Sequence, residues 1–170
     1  VPLFMAVLAP TILASSWSFT EVINFYNSHG ALWMVNIIGF AVALVTLQGK
    51  LEKVPFDIPE AETEIVGGVF VEYTGALYGY FRLTMNMQAI AGASVVAAIF
   101  MPFGYTGIFV LSFLIYLVKI SFILFLLAVI RTIFARLRID QMASFCWKYL
   151  APVALFQILI NVIIKAVILK

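Results

Sequence analysis

The stretch TGIFVLSFLIYLVKISFILFLLAVI, residues 106–130, decides the fold of this chain. It holds one charged residue, Lys119, among long aliphatic and aromatic side chains. A helix that crosses a bilayer needs about 20 predominantly apolar residues, and this stretch exceeds that length. Because hydrocarbon offers no hydrogen-bond partners to backbone amides, the segment is predicted to be a helix that satisfies its own backbone groups.

The composition of the whole chain has the same character. Of its 170 residues, 65% are apolar and 11% are charged, and the mean hydropathy is +1.14. An ordinary soluble domain carries about 25% charged residues, and a soluble fold of this size could not bury so much apolar surface. The composition therefore excludes a soluble enzyme, a nucleic-acid binder and a disordered tail, and it indicates an integral membrane protein.

The charged and metal-binding residue types are too few for other assignments. The net charge of +2 is too small to indicate an anionic partner. A single cysteine, Cys146, excludes an intrachain disulfide framework and any multi-cysteine metal site. One histidine, His29, argues against a zinc site built by this chain.

Four further apolar stretches bring the predicted number of spans to five. The fold class is predicted to be all-α, a polytopic transmembrane helix bundle that forms a single transmembrane domain over 1–170. Because the chain begins with Val1 inside an apolar run, we expect the C-terminal part of a longer membrane protein. The predicted spans are about 1–19, kinked at Pro10, then 31–49, a stretch within 76–101, 106–130 and 149–169.

Charge asymmetry predicts which side each connection faces. Alternating spans place the connections 20–30 and 102–105, with the C-terminus, on one side and the connections 50–75 and 131–148 on the other. Positively charged residues stay in the cytoplasm, so 50–75 and 131–148 are predicted to be cytoplasmic loops at the cell membrane, with the C-terminus outside. The first side has only Lys170 near the membrane ends, whereas the second has Lys50, Lys53, Arg131, Arg136, Arg138 and Lys148.

The acidic residues concentrate in VPFDIPEAETEIVGGVFVEY, residues 54–73. Glu60 and Glu64 are four residues apart and share a helix face, where like charges repel. Repulsion and burial raise a carboxylate pKa, so acids sunk between helices share protons near neutral pH, as a proton path requires. The alternative is a solvated acidic helix start in a cytosolic loop. The segment carries five of the eight acids: Asp57, Glu60, Glu62, Glu64 and Glu72.

Several polar residues lie in or beside the spans. Lys119 is near the middle of its span, where a charge costs roughly 2.5–3.5 kcal/mol on insertion scales. It is either a member of an ion path or a structural amine that pairs inside the bundle. RLRIDQ, residues 136–141, either anchors the loop by its positive charge or contacts a docked cytoplasmic subunit. Helix packing is the predicted role of five amides: Asn36, Asn86, Gln88, Gln157 and Asn161.

These motifs carry a resemblance to a known family. VPFDIPEAETEIVGG followed by VEYTG resembles the acidic loop of the H subunit family of respiratory complex I. The same family occurs in energy-converting membrane-bound hydrogenases and related archaeal sulfur reductases. RLRIDQ and WKYLAP, at 136–141 and 147–152, resemble its last cytoplasmic loop and the entry to its last helix. Family members usually have about eight spans, so the resemblance covers the later part of the family.

The resemblance implies a role in a redox-driven ion pump of several different subunits. Such a subunit anchors the hydrophilic redox arm and couples electron transfer to proton or sodium-ion movement through antiporter-like membrane subunits. It is a non-catalytic part of an oxidoreductase complex and holds no cofactor or metal. Iron–sulfur clusters and a nickel–iron or related centre are expected in the hydrogenase-like partner subunits. By motif position the coupling acids are Asp57, Glu60, Glu62, Glu64 and Glu72, and the loop facing the hydrophilic arm has Arg136, Arg138 and Asp140.

One departure from the family pattern favours the hydrogenase or sulfur-reductase branch. Quinone-reducing members usually have Asn-Arg where this chain has Glu52-Lys53. Three alternatives stay open. The chain could be the quinone-chamber subunit of an NADH- or F420H2-type quinone oxidoreductase, an independent secondary transporter whose carboxylates bind substrate, or a passive anchor.

Overall fold

The computed structural model describes residues 1–30, 32–57, 70–104 and 107–168. Within these ranges a 3₁₀ turn, Leu32–Asn36, precedes the third helix, and a π-helical turn, Cys146–Leu150, precedes the last. The α-helices are α1 (Pro2–Ala14), α2 (Phe19–Ser28), α3 (Ile37–Lys50), α4 (Ala76–Phe100), α5 (Phe109–Ile133), α6 (Ile139–Phe145) and α7 (Ala151–Ile168).

The predicted all-α polytopic bundle is confirmed. In the described residues, four helical segments are long and apolar enough to cross a membrane: Leu32–Lys50, Ala76–Phe100, Phe109–Ile133 and Ile139–Val167. The pair α1 and α2 is bent by 59° at a short break and supplies a fifth candidate span if it counts as one. Large apolar side chains remain exposed on the outward faces, including Phe125 and Phe156. A lipid environment satisfies such faces.

The first span differs from its prediction. Pro10 lies inside α1, which continues past it to Ala14. The bend comes later, at residues 15–18, where Ser15 adopts a left-handed φ of 57°. A proline removes only one backbone N–H, and membrane helices tolerate it when neighbouring groups compensate. The break in this span therefore lies after Pro10, at paired serines, and not at the proline where a kink was predicted.

Two predicted connections are partly helical. Most of 20–30 forms α2, because Val22, Ile23 and Tyr26 share one face that is buried against the bundle. Residues 139–150 form α6 and the π-helical turn, so the last span begins ten residues earlier than predicted. Asp140 lies in the first turn of α6, where the helix dipole favours an anion.

The helix α3 is at the centre of the bundle and packs against α1, α4, α5 and α7. Its side chains Val42 and Leu47 belong to a continuous apolar core shared with α4 and α5. Small residues permit the close approach, as is usual in lipid. A Cβ at Gly39 would lie 3.3 Å from Gln157 Cγ and equally near the ring of Phe100.

The helix directions define two ends of the bundle. We call the end where α3 and α5 finish and α6 begins the proximal end. The opposite end, where α4 finishes and α5 begins, is the distal end. The described residues of the two connections predicted to be cytoplasmic belong to the proximal end.

A buried polar network holds the bent first span at the distal end. The Tyr26 hydroxyl donates to the Pro10 carbonyl at 3.1 Å, and Asn36 Nδ2 donates to the Tyr26 hydroxyl at 2.9 Å. From α7, Asn161 Nδ2 donates to Asn36 Oδ1 at 2.7 Å, and Gln157 Nε2 donates to the same oxygen at 3.3 Å. These side chains are buried, so the network ties α1, α2, the 3₁₀ turn before α3 and α7 together, as cross-helix hydrogen bonds do in membranes.

Candidate functional site

Residues of the two proximal connections meet in space. Their main contact joins Asp57 and Arg136, which are 79 residues apart in sequence. The backbone N–H of Leu137 donates to the Pro55 carbonyl at 3.0 Å. Arg136 Nη2 donates to the Asp57 backbone carbonyl at 2.8 Å, and its Nε lies 4.0 Å from Asp57 Oδ2. We call this contact of 55–57 with 136–137 the proximal junction.

The Asp57 carboxylate at the proximal junction is only partly satisfied. The side chains of Arg136 and Asp57 are 35% and 20% exposed, so solvent screens their ion pair only in part. Asp57 Oδ1 is buried and has no hydrogen-bond partner among the described residues. An unpaired buried acceptor is costly, and such groups in native structures call for an explanation such as a bound water or a catalytic role. The proximal junction thus leaves one oxygen of the Asp57 carboxylate buried and without a partner among the described residues.

The segment leading to Asp57 is fixed by the end of α3. Gln48 Nε2 donates to the Val54 carbonyl at 2.7 Å, and the Phe56 backbone N–H donates to the Lys53 carbonyl at 2.9 Å. Phe56 is 4% exposed, and its ring lies 6.4 Å from that of Phe145 at the end of α6. The apolar ring and these hydrogen bonds therefore anchor the turn that presents Asp57.

A cavity of about 330 Å³ opens beside this turn, between α3, α4 and α5. Its polar lining consists of Gln48, Lys53, Asn86 and Arg131, and the rest of its wall is mostly aliphatic. Gln48 is fully buried, and its Oε1 has no partner among the described residues. We call this space the proximal cavity. Sequence reasoning missed Gln48, for which the only signal was an amide inside an otherwise apolar span.

Of the four remaining predicted coupling acids, the structure describes only Glu72. Glu60, Glu62 and Glu64 lie outside the described residues. Glu72 is exposed, in the turn that precedes α4, beside an aromatic group in which Tyr73 and Phe81 have ring centroids 4.9 Å apart. Among the described contacts, none joins Glu72 to Asp57. Of the predicted acidic cluster, the structure therefore describes Asp57 and Glu72, and no described contact joins these two residues.

The predicted arm-facing residues divide into two kinds. Arg136 contacts Asp57 in the proximal junction. Arg138 and Asp140 are exposed at the start of α6, where Gln141 Oε1 accepts a hydrogen bond from the Arg138 backbone N–H at 3.2 Å. Their exposed charges can face a neighbouring polypeptide, and their predicted interface role stays a prediction.

Lys119 is far from the proximal junction. It is 12 residues before Arg131 in α5, which corresponds to about 18 Å along the helix axis. Its Nζ donates to the backbone carbonyl of Met101 at 2.7 Å and to that of Phe103. The structural alternative, an amine held by hydrogen bonds inside the bundle, matches this geometry. The predicted ion-path role stays a prediction.

A second cavity of about 530 Å³ lies near the proximal junction and is almost wholly apolar. Phe4, Val45, Phe56, Met142 and Cys146 contribute to its wall. Across the described ranges, no group of three or more His, Cys, Asp and Glu side chains is placed to hold a metal ion. What the proximal end offers is a carboxylate, basic side chains and apolar space.

The sequence matches the family model described as NADH dehydrogenase over residues 1–162. The chain belongs to the NADH dehydrogenase family. The resemblance to the H subunit of complex I, drawn from the acidic loop and from RLRIDQ, is confirmed. This family member is a multi-pass membrane protein.

Relatives of this NADH dehydrogenase family member are subunits of an oxidoreductase complex. The chain is 34% identical over 170 residues to the H subunit of NADH-quinone oxidoreductase from Brevibacillus brevis, covering 96% of this chain and 50% of that protein. It is 31% identical over 162 residues to NADH-quinone oxidoreductase subunit 8 of Thermus thermophilus, covering 95% and 44%. The H subunit from Bacillus thuringiensis is 33% identical over 171 residues, covering 97% and 50%. The chain spans about half the length of these relatives.

Proposed function

We propose that this chain is part of a membrane subunit of a complex I-like, redox-driven ion pump. It couples electron transfer in a hydrophilic arm to proton or sodium-ion translocation and carries no redox centre of its own. The observation that supports this most is the proximal junction, where a partly buried carboxylate is tied to the loop predicted to face the arm. A displacement of either connection alters the surroundings of Asp57.

The proposed coupling follows from the chemistry of that carboxylate. An acid with one paired and one unpaired oxygen changes its proton affinity when its cationic neighbour moves. A partner that pulls on Arg136 therefore separates the Asp57 carboxylate from its cation and changes the electrostatic field at the neighbouring acids. Glu60, Glu62, Glu64 and Glu72 complete the proposed acidic path, and Arg138 and Asp140 form the proposed contact with the arm.

The proposed partners are hydrophilic iron–sulfur subunits and antiporter-like membrane subunits, with 50–75 and 131–148 on the cytoplasmic side. The replacement of Asn-Arg by Glu52-Lys53 supports the hydrogenase type, in which a nickel–iron or related centre belongs to a partner. Mass spectrometry of the subunits that co-purify with this chain tests the assignment. A nickel–iron-type large subunit supports the hydrogenase type, and recovery of the chain without any redox subunit contradicts the coupling role.

A quinone-chamber role is the second candidate, supported by the apolar cavity of about 530 Å³ beside Phe56. That volume lies within the usual range of small-molecule sites. Activity of the purified complex separates the two candidates. Quinone-dependent electron transfer that chamber inhibitors block supports this second role, whereas turnover with ferredoxin and protons alone supports the first.

A further inference from the structure

Lys119 has a complete set of partners for a charged amine. It is 8% exposed, and its Nζ donates to the carbonyls of Met101 and Phe103 and lies 4.7 Å from the centroid of the Phe103 ring. An ammonium has three N–H donors, and two carbonyls and an aromatic face can accept all three. No acidic side chain in the described part of the chain pairs with it. Within the described ranges, the partners of the amine are therefore neutral groups that can accept hydrogen bonds from it.

The backbone of Lys119 lies at mid-depth in the bundle. Lys119 is ten residues after Phe109, about 15 Å from the distal end of α5, and fourteen residues before Ile133, about 21 Å from the proximal end. The hydrocarbon core of a bilayer is about 30 Å thick. The Lys119 backbone is therefore close to the membrane midplane, and its ammonium reaches toward the distal end, where it contacts the connection that follows α4.

An apolar layer separates Lys119 from the proximal cavity. This layer consists of Ile123 on α5 and Ala93 on α4, and beyond them Leu127 and Ala89 already line the proximal cavity. All four are at most 5% exposed. Proton transfer needs donors and acceptors within hydrogen-bond reach or one water away, and these side chains supply neither. This apolar layer therefore argues against a proton relay from Lys119 to the proximal acids.

On its other side Lys119 borders an open space. A cavity of about 330 Å³ at the distal half of the bundle is lined by Lys119, Ser112, Tyr116 and Gly104, with apolar residues around them. We call it the distal cavity. A cation that enters this cavity meets the ammonium before it reaches the apolar layer.

We propose that Lys119 is a fixed positive charge that closes the distal cavity to protons and other cations. A cationic group placed in a narrow path raises an electrostatic barrier to cations, as in channels that exclude protons. Its hydrogen bonds also tether the connection that follows α4. The inference rests on the proposed function, because a barrier to leakage is useful in a subunit that separates two sides of a pump.

Passive proton permeability of proteoliposomes that contain the intact complex tests this barrier. A pH gradient is imposed without any electron donor, and a pH-sensitive dye inside reports proton entry. Lys119→Gln keeps N–H donors for the carbonyls but removes the charge, and Lys119→Arg keeps the charge. We expect Lys119→Gln to raise the entry rate by roughly tenfold and Lys119→Arg to match the wild type. Because no turnover occurs, this result is independent of the coupling role of Asp57.

Two results overturn the proposal. In the first, Lys119→Gln has wild-type proton permeability but moves fewer ions per electron during turnover, which makes Lys119 a member of a proton relay. In the second, both its permeability and its number of ions per electron match the wild type, which leaves Lys119 only the role of tethering the connection after α4. If Lys119→Gln does not assemble, Ile115→Glu serves instead, because a carboxylate one turn earlier on the same face neutralises the charge with the amine in place. Unchanged permeability in that variant also contradicts the barrier.

Discussion

Loss of the guanidinium at the proximal junction should open the contact between the two connections. Arg136→Ala removes the 2.8 Å hydrogen bond to the Asp57 carbonyl and the 4.0 Å ion pair with its carboxylate. A hydrogen bond to a charged group contributes about 1.5–3 kcal/mol. The ion pair adds at most about 1 kcal/mol, since both side chains are partly exposed. We therefore expect the junction to lose about 2 kcal/mol of local stability.

Hydrogen exchange measures this loss directly. The Leu137 amide is protected by its bond to the Pro55 carbonyl, and local opening exposes it. A loss of about 2 kcal/mol corresponds to a roughly thirtyfold faster exchange of peptides that cover 134–138, measured by mass spectrometry on the intact complex. Arg138→Ala is the matched control, because the hydrogen bond from Arg138 to Gln141 uses the backbone N–H and survives the substitution. Equal exchange in Arg136→Ala and the wild type would refute the argument that Arg136 holds the two connections together.

Two further predictions concern the bundle. Gly39→Ala should destabilise the purified complex by about 1–3 kcal/mol, since the added methyl lies 3.3 Å from Gln157 and Phe100. Gly30→Ala is its control and should leave the melting temperature unchanged, because nothing lies within 4 Å of a Cβ there. Gln157→Leu should cost about 1–3 kcal/mol, because buried acceptors of the distal network lose their donor, and Gln88→Leu at an exposed position serves as its control. Equal thermal stability of the members of either pair contradicts the corresponding packing or hydrogen-bonding account.

The apolar spans could be predicted because each depends on local composition. A run such as 106–130 must form a helix wherever hydrocarbon surrounds it, so its identity needs no knowledge of its neighbours. The observed helix, Phe109–Ile133, differs from it only at the ends. The cross-helix hydrogen bonds of Asn36, Gln157 and Asn161 are predictable for a similar reason, because lipid offers these amides no other partners.

Features that depend on tertiary contacts could not be predicted in the same way. Pro10 predicted a kink at its own position, but the bend lies at 15–18. The distal network that holds the bend is formed by residues from four elements. No periodicity in the sequence shows that Arg136 reaches Asp57 across 79 positions. The charge asymmetry of the connections predicted that both residues lie on the same side of the membrane but gave no contact between them.

The burial of Gln48 was also beyond sequence reasoning. Its amide is near the end of a span, where an exposed polar side chain is usual, and only the fold of 51–57 over it removes it from solvent. The first helical turns of the last span were missed for a related reason. The charges of RLRIDQ indicate a loop, yet Asp140 is compatible with a helix start.

The proposed function depends above all on Asp57 taking part in ion coupling. The most direct test is the number of ions moved per electron by the intact complex in proteoliposomes, compared between Asp57→Asn and the wild type. Glu21→Gln, which changes an exposed acid at the distal end, is the control. The account predicts that Asp57→Asn assembles and transfers electrons but moves fewer ions per electron, while Glu21→Gln keeps the wild-type ratio. A wild-type ratio in Asp57→Asn would contradict the account.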